Sequence, residues 1–433
     1  MGQAQQTANL PDREQWFMDL GFGMFVHWSL DSQVGAVISH SMAGASKDYM
    51  ERFVNELPKT FNPRKFEPDD WAVLAKLAGM KYVVFTAKHH SGFCMWNTKT
   101  TGFNVMNTPF KRDILKEIIE AFRKQDIAIG IYFSPEDFYY CYQHDIPVGR
   151  LQHDLHYPAN NKGLMDYDKA QMKELLTQYG KIDIFFFDGP AEELKEYAWQ
   201  LQPAIVVTRG HLETPEQRLP DRPIPGPWEA CFTMGTDWQY KPTNDPHKSG
   251  TQIINMLIET RAKGGNLLMN VGPKPDGEIQ IEQEALLREI ALWNLVNTEA
   301  IHAIRPWNII KEGDIWFTRS KTNETTVYAF VPGGNNWQFG KRKEFILKTL
   351  EGNEQTQASI LGYASELIEY RKGADAAIRV YPTPLGLVVS AVNGHRLYTN
   401  NQWLNPVVLK IENVKYKPEN EIVEQKSSID GAK

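Results

Sequence analysis

Histidine, carboxylate and arginine side chains recur in this chain where apolar runs stop. The run Ile182, Ile184, Phe185, Phe186 and Phe187 ends abruptly at Asp188, Gly189 and Pro190. Desolvating an unpaired carboxylate is costly, so Asp188 either caps the following helix or is presented for chemistry. As a cap it is poorly placed: Pro190 suits the first helical position only if Gly189 is the cap, which leaves Asp188 one residue too early. Read as strand ends, the other apolar runs give His27 and Trp28, His89 and His90, then Tyr132, Ser134, Glu136 and Asp137, and finally Arg209, Glu229 and Asn270. A lone strand-end histidine is an ordinary structural residue. His27 and the pair His89 and His90, in the company of Asp188, point to a reaction centre. Arg209 serves equally well as a neutralising partner of Asp188, and Asn270 in "MNVGP" as a turn residue.

Two carboxylates, neutral hydrogen-bonding histidines and exposed aromatic rings suit glycoside hydrolysis. A retaining enzyme needs a carboxylate nucleophile and a second carboxyl as acid and base about 5 Å away, with polar groups gripping the sugar hydroxyls. The rival is a metal-dependent hydrolase with His27, His89, His90 and Asp188 as ligands. Against it, the chain has no HxH on the first strand and no HExxH. Adjacent strand residues also point to opposite faces, so His89 and His90 share one metal only across a local break. No metal or cofactor is expected. A GxGxxG after the first strand and a Walker A loop are both missing, which removes the simplest nucleotide readings.

The elements that must position these groups alternate. Between about residues 20 and 300, the strand runs "MFVHW", "KYVVFTAKHH", "IAIGIYFS", "IDIFFFDG", "AIVVTRG", "PWEACFTM" and "NLLMNVGP" are separated by helical patterns. One of these, "RDILKEIIEAFRKQ", carries the stripe Ile114, Leu115, Ile118, Ile119 and Phe122 behind the candidate N-cap Asp113. Seven strands with helical crossovers predict a parallel sheet. Their number and span favour a TIM-like β/α barrel over an open doubly wound sheet, and a barrel gathers its functional groups where strands end. From about residue 311 short strand-like runs bounded by Gly, Pro and Asn replace the helices, which predicts a small all-β sandwich domain. The expected division is a barrel over residues 1–310 and a sandwich over residues 311–433.

Composition narrows the partners. The 433 residues carry a net charge of -6, with no electrostatic footprint for nucleic acid. No apolar run reaches the length of a bilayer span. Cys94, Cys141 and Cys231 form neither a CxxC nor a disulfide framework. The polar, small-residue opening "MGQAQQTANL" is read as the start of a periplasmic or secreted protein trimmed after its signal.

These residues lie in motifs that resemble the α-L-fucosidases of glycoside hydrolase family 29, in the family's order through about residues 10 to 310. The family's "FGxFxHW" stands here as "FGMFVHW", "KHHDGF" as "KHHSGF", and "GxYxS" as "GIYFS". The apolar strand ending in "DG" follows, then "WEACFTMGTDWQY" for the "WE" to "WGY" segment, and "GGNLLMNVGP" for "GGNxLLNxGP". The resemblance implies that Asp188 attacks the anomeric carbon. His27, His89, His90, Trp96, Tyr132 and Arg209 would surround the sugar, and Glu229 would be the acid/base, with Glu136 and Asp137 as local competitors. It implies no cofactor and a fucosylated oligosaccharide or glycoconjugate as partner, with a related α-L-galactoside as the alternative substrate. Three departures stand out: Ser91 for the family's Asp, "HWSLDSQVG" for "HWGxYS", and Phe187 before Asp188.

Overall fold

Seven short apolar runs pair into one parallel sheet. They are β1 (Phe22–Val26), β2 (Tyr82–Lys88), β3 (Ala128–Phe133), β4 (Ile184–Phe187), β5 (Val206–Val207), β6 (Glu229–Thr233) and β7 (Asn266–Val271). Their order is β5-β4-β3-β2-β1-β7-β6. Apart from Ala128 at the start of β3, every residue of these strands is buried, as strands covered on both faces require. The computed structural model describes residues 6–148, 153–337, 340–363, 375–394 and 404–418. The first five residues of the opening on which export is read lie outside the described residues.

The sheet is curled rather than flat. Phe25, Tyr82, Val84, Tyr132, Ile184, Phe186, Val206, Cys231 and Leu268 belong to one apolar cluster, and each of the seven strands supplies at least one of them. Only a sheet wrapped around a common axis lets all its strands share one interior. Residues 213–216, between β5 and β6, lie alongside β6 through isolated parallel bridges, Glu213 with Trp228 and Glu216 with Cys231. Because the strands are parallel, their C-terminal ends meet at one end of the curl.

The helices are α1 (Pro11–Leu20), α2 (Lys47–Asn55), α3 (Pro68–Leu77), α4 (Ile114–Lys124), α5 (Phe138–Gln143), α6 (Lys162–Gln178), α7 (Glu192–Leu201), α8 (Gly250–Ala262) and α9 (Ile281–Asn297). In α4 the sequence reading is met residue by residue: Asp113 caps it by accepting from the Lys116 N–H, and Ile114, Leu115, Ile118, Ile119 and Phe122 are buried. Each of those side chains contributes about 1.5–3 kcal/mol by leaving water, against about 1 kcal/mol for the cap.

The C-terminal strands are antiparallel. They are β8 (Ile304–Glu312), β9 (Ile315–Ser320), β10 (Val327–Val331), β11 (Arg342–Leu347), β12 (Leu350–Glu351), β13 (Gln357–Ile360), β14 (Arg379–Thr383), β15 (Gly386–Val392), β16 (Val407–Glu412) and β17 (Lys415–Tyr416). A five-stranded sheet, β13-β16-β10-β9-β8, and a three-stranded one, β11-β15-β14, share a core that includes Phe317, Ala329, Phe345, Leu347, Val389 and Leu409. That is the sandwich expected. The boundary differs. β8 runs across residues 310 and 311 and pairs with β9, so a division there would cut a hairpin. By contacts, one compact unit comprises Met1–Asp221, Pro225–Lys248 and Asn266–Arg288, and the other Arg222–Ile224, Ser249–Gly265 and Glu289–Lys433.

Candidate active site

Asp188 follows the last residue of β4, and its backbone N–H is held by the Phe133 carbonyl at the end of β3 (3.1 Å). It caps nothing: the N-cap of α7 is Ala191. Its carboxylate is gripped instead. Oδ1 accepts from Arg209 Nη1 at 2.9 Å, and Oδ2 accepts from the Tyr132 hydroxyl at 2.5 Å. His90 Nε2 stands 3.5 Å from Oδ2. Burial works to raise the carboxyl, but the His90 ring, Arg209 and His89 outweigh it and hold Asp188 well below the usual carboxylate range. The charge at the end of "FFFDGP" is tolerated because it has partners, and it stays ionised.

The two deeper histidines are neutral and complementary. Burial lowers His27 to about 4 despite its bond to Asn270. Asn270 donates through Nδ2 to the Trp238 carbonyl, which turns its Oδ1 toward His27 Nδ1 at 2.7 Å. His27 Nδ1 must therefore carry the proton, and Nε2 is left as an acceptor. His89, pushed well down by burial, has the opposite arrangement: its Nδ1 accepts from the His90 N–H at 2.8 Å, so Nε2 is the donor. The two rings lie 5.7 Å apart, and Tyr132 stacks on His89 at 4.9 Å. One acceptor and one donor on neutral rings suit adjacent hydroxyls of a sugar.

His89 and His90 both reach the site, which strand alternation alone forbids. The register shifts between Thr86 and Lys88 in β2, and the chain turns after His89, leaving the two rings 4.6 Å apart and nearly perpendicular. Ligand atoms of His89, His90 and Asp188 all lie within 4.8 Å of one another, so strand geometry is no argument against a shared metal. Charge is an argument: the Arg209 guanidinium already supplies the cation that Asp188 faces. The break is fixed from below by Lys88, whose ammonium bonds Asp137 (3.2 Å) and Asp168 (2.9 Å), with all three side chains fully buried.

Arg209 has a second partner. Its Nη2 donates to Glu216 Oε2 at 2.7 Å, so one guanidinium holds two carboxylates, one on each terminal nitrogen. That places the bonded oxygens at most about 8 Å apart, a bound that includes the roughly 5 Å of a retaining pair. Asp188 is a quarter exposed and Glu216 39% exposed, so Glu216 stands on the solvent side, where a leaving group departs.

A family model described as Alpha-L-fucosidase matches residues 3–299. The chain belongs to the alpha-L-fucosidase family. Among curated relatives, the tissue alpha-L-fucosidase of Rattus norvegicus is 31% identical over 365 residues, covering 73% of this chain and 75% of that one. The alpha-L-fucosidase of Dictyostelium discoideum is 26% identical over 424 residues, covering 87% and 88%. Among solved structures, alpha-L-fucosidase isoenzyme 1 from Paenibacillus thiaminolyticus superposes with a TM-score of 0.72 at 27% identity, covering 94% of this chain and 99% of that one. Thermotoga maritima alpha-fucosidase in complex with fucose gives 0.71 at 25% identity, covering 92% and 96%. The protein is thus a glycoside hydrolase.

Two residues expected in this fucosidase-family site are elsewhere. Glu229 is the first residue of β6, paired with Asn266 at the start of β7, and so lies at the opposite end of the parallel sheet from Asp188. It is fully buried, and Oε2 accepts from the hydroxyl of Tyr82, the first residue of β2, at 2.5 Å. Gly23 makes room for that Tyr82 ring, since a Cβ there would lie 2.4 Å from it. With about 3.3 Å per strand residue, Glu229 is a strand length below the sugar and cannot protonate a glycosidic oxygen. Trp96 is also fully buried, and its indole N–H is spent on Glu174 of α6 (3.0 Å).

The local competitors fare differently. Asp137 is spent as the N-cap of α5, accepting from the Tyr140 N–H, and as a partner of Lys88. Glu136 is half-buried beside Gly189. Of the departures, Ser91 is buried and accepts from Phe93 N–H within its own turn (3.5 Å), and Phe187 is a core residue.

Three further residues stand at the site that the sequence reading did not assign to it. Trp238 lies 4.8 Å from the His27 ring, and His40 lines with it a cleft of about 640 Å³ that also includes Val37, Ser39 and Gln217. Glu216 is the third. Trp238 had a signal in "TDWQY"; the other two lie in polar stretches with no periodicity.

Proposed function

We propose that the protein is an exo-acting retaining α-L-fucosidase that releases terminal α-L-fucosyl residues from oligosaccharides or glycoconjugates, with Asp188 as nucleophile and Glu216 as acid/base. The observation that carries this reading is the sharing of Arg209 between the two carboxylates. In the first step Asp188 attacks the anomeric carbon while a protonated Glu216 delivers its proton to the departing oxygen. Once Asp188 is esterified, Glu216 takes a proton from the attacking water, with Arg209 holding its carboxylate in place. His27, His89, His90 and Tyr132 grip the sugar hydroxyls. Among the described residues no helix is long and apolar enough to cross a membrane.

The test is a 2-deoxy-2-fluoro fucosyl probe followed by peptide mapping. Label on "FFFDGP" supports Asp188, and label on another carboxylate removes it. Glu216→Ala should slow poor leaving groups far more than activated aryl fucosides, with azide restoring turnover and yielding a fucosyl azide. Equal slowing of good and poor leaving groups without rescue removes Glu216 and passes the role to Glu136.

A further inference from the structure

His90 differs from the two deeper histidines in what its ring nitrogens face. Nδ1 is hydrogen-bonded to the Ser134 hydroxyl, and that hydroxyl also bonds the Glu136 carbonyl at 2.8 Å. Nε2 stands 3.5 Å from Oδ2 of the ionised Asp188. The Ser134 hydroxyl has a single proton, and a carbonyl has none to give. The proton between Ser134 and Glu136 is therefore the hydroxyl's own, and the one between Ser134 and His90 has to come from the ring.

A neutral imidazole has one N–H, and either placement leaves a conflict. With the proton on Nδ1, the Nε2 lone pair is aimed at a carboxylate. With it on Nε2, the Nδ1 lone pair meets the Ser134 oxygen, unless the hydroxyl turns away from the Glu136 carbonyl and leaves two acceptors 2.8 Å apart. Only a ring protonated on both nitrogens satisfies all three contacts. The surroundings accept that charge. The His90 side chain is 13% exposed, and the rings against it are the neutral His89 at 4.6 Å and Phe138 at 5.8 Å. The Asp188 carboxylate that it faces is shared with Arg209. Beneath the turn, Lys88 is outnumbered by Asp137 and Asp168.

We propose that His90 is an imidazolium in the free enzyme and serves as a catalytic cation for the second half of the reaction, the release of the sugar from Asp188. This rests on the assignment of Asp188 as nucleophile, and it comes in addition to a grip on the sugar. In that step the bond between the anomeric carbon and the Asp188 oxygen breaks and both its electrons return to the carboxylate. Water adds to the carbon and gives its proton to Glu216, while His90 keeps its own throughout. A cation beside the departing carboxylate favours the departure, because negative charge grows there as the bond breaks. In the first half the same cation stabilises a charge that the attack consumes, so it gives no help. His90 is thus biased toward clearing the covalent intermediate over forming it.

The experiment has two arms. In the first, protein carrying nitrogen-15 histidine is observed by NMR at pH 7 without substrate, with His90→Gln identifying the His90 signals among the 11 histidines. Both ring nitrogens of His90 should carry protons, whereas His27 and His89 carry one each; a bare nitrogen on His90 overturns the proposal. Ser134→Ala, which shifts the Nδ1 signal, gives the same assignment if His90→Gln does not fold.

The second arm uses an aryl fucoside with an acidic phenol, for which release from Asp188 limits turnover. His90→Gln should lower kcat about tenfold with KM falling in parallel, so that kcat/KM changes by less than about threefold. Quenching and intact-mass measurement should find most of that variant carrying a fucosyl group at steady state. Ser134→Ala should show the same pattern to a smaller extent. Equal losses in kcat and kcat/KM with no accumulated intermediate overturn the catalytic role. Absence of any glycosidase activity in the wild type overturns the proposed function and this role with it, while the charge of the ring is decided by the first arm alone.

Discussion

Asn270 reaches His27 across 2.7 Å and, through its other amide atom, is anchored on the Trp238 carbonyl. A residue at the end of β7 thereby sets which nitrogen of a residue just beyond β1 carries a proton. The amide cannot flip without losing both bonds, so the acceptor that His27 offers to a sugar hydroxyl is fixed before substrate arrives.

Two measurements check this. Protonating His27 destroys the acceptor, so kcat/KM should fall on the acid side near pH 4, the value to which burial lowers His27. Asp188, held well lower, should not set that limb. Asn270→Ala should reduce kcat/KM about tenfold, the loss of roughly 1.4 kcal/mol of transition-state stabilisation. An acid limb unchanged in His27→Gln would refute the assignment.

Glu229 should matter for stability and not for chemistry. Burial raises it from 4.5 to about 7, so the folded state holds a proton that the unfolded state releases above pH 4.5. Its contribution is complete below pH 4.5 and is lost as pH rises through about 7, a swing of up to roughly 3 kcal/mol. Glu229→Gln should therefore gain melting temperature over the wild type at pH 8 relative to pH 5, and should slow good and poor leaving groups alike by less than about threefold. Selective loss on poor leaving groups would restore Glu229 as the acid.

Lys88→Met strands two buried carboxylates, Asp137 and Asp168. Breaking such a pair costs about 3–5 kcal/mol. The penalty should be smaller at pH 5.5 than at pH 8 by chemical denaturation, because burial has already raised Asp168 to about 7 and protonation removes the stranded charge. Equal penalties at the two pH values would mean that Lys88 acts only by filling space.

The strand-end rule succeeded where an apolar run precedes the polar residue. Asp188 follows Phe187, Arg209 follows Val207 and Thr208, and His27 follows Val26; all three lie where the strands open. Glu229 misled because the apolar run follows it: in "PWEACFTM" the strand begins at the glutamate, and in a parallel sheet a beginning and an end are opposite poles. His89 and His90 needed a register shift that no side-chain pattern announces. Glu216 was invisible for another reason. Its segment joins the sheet by single bridges, which leave no apolar signature.

That segment has a consequence for how such a protein can change. The nucleophile is tied to a strand whose neighbours on both sides fix its height, so a residue gained or lost in β4 would invert the side chains of the whole strand. Glu216, the proposed proton donor, rides on a connection between β5 and β6 held at isolated points, and connections tolerate insertion and deletion. On the proposed roles, sugar recognition and leaving-group recognition are separable heritable traits: changes in residues 210–227 would alter the linkage cleaved while the released sugar stays the same.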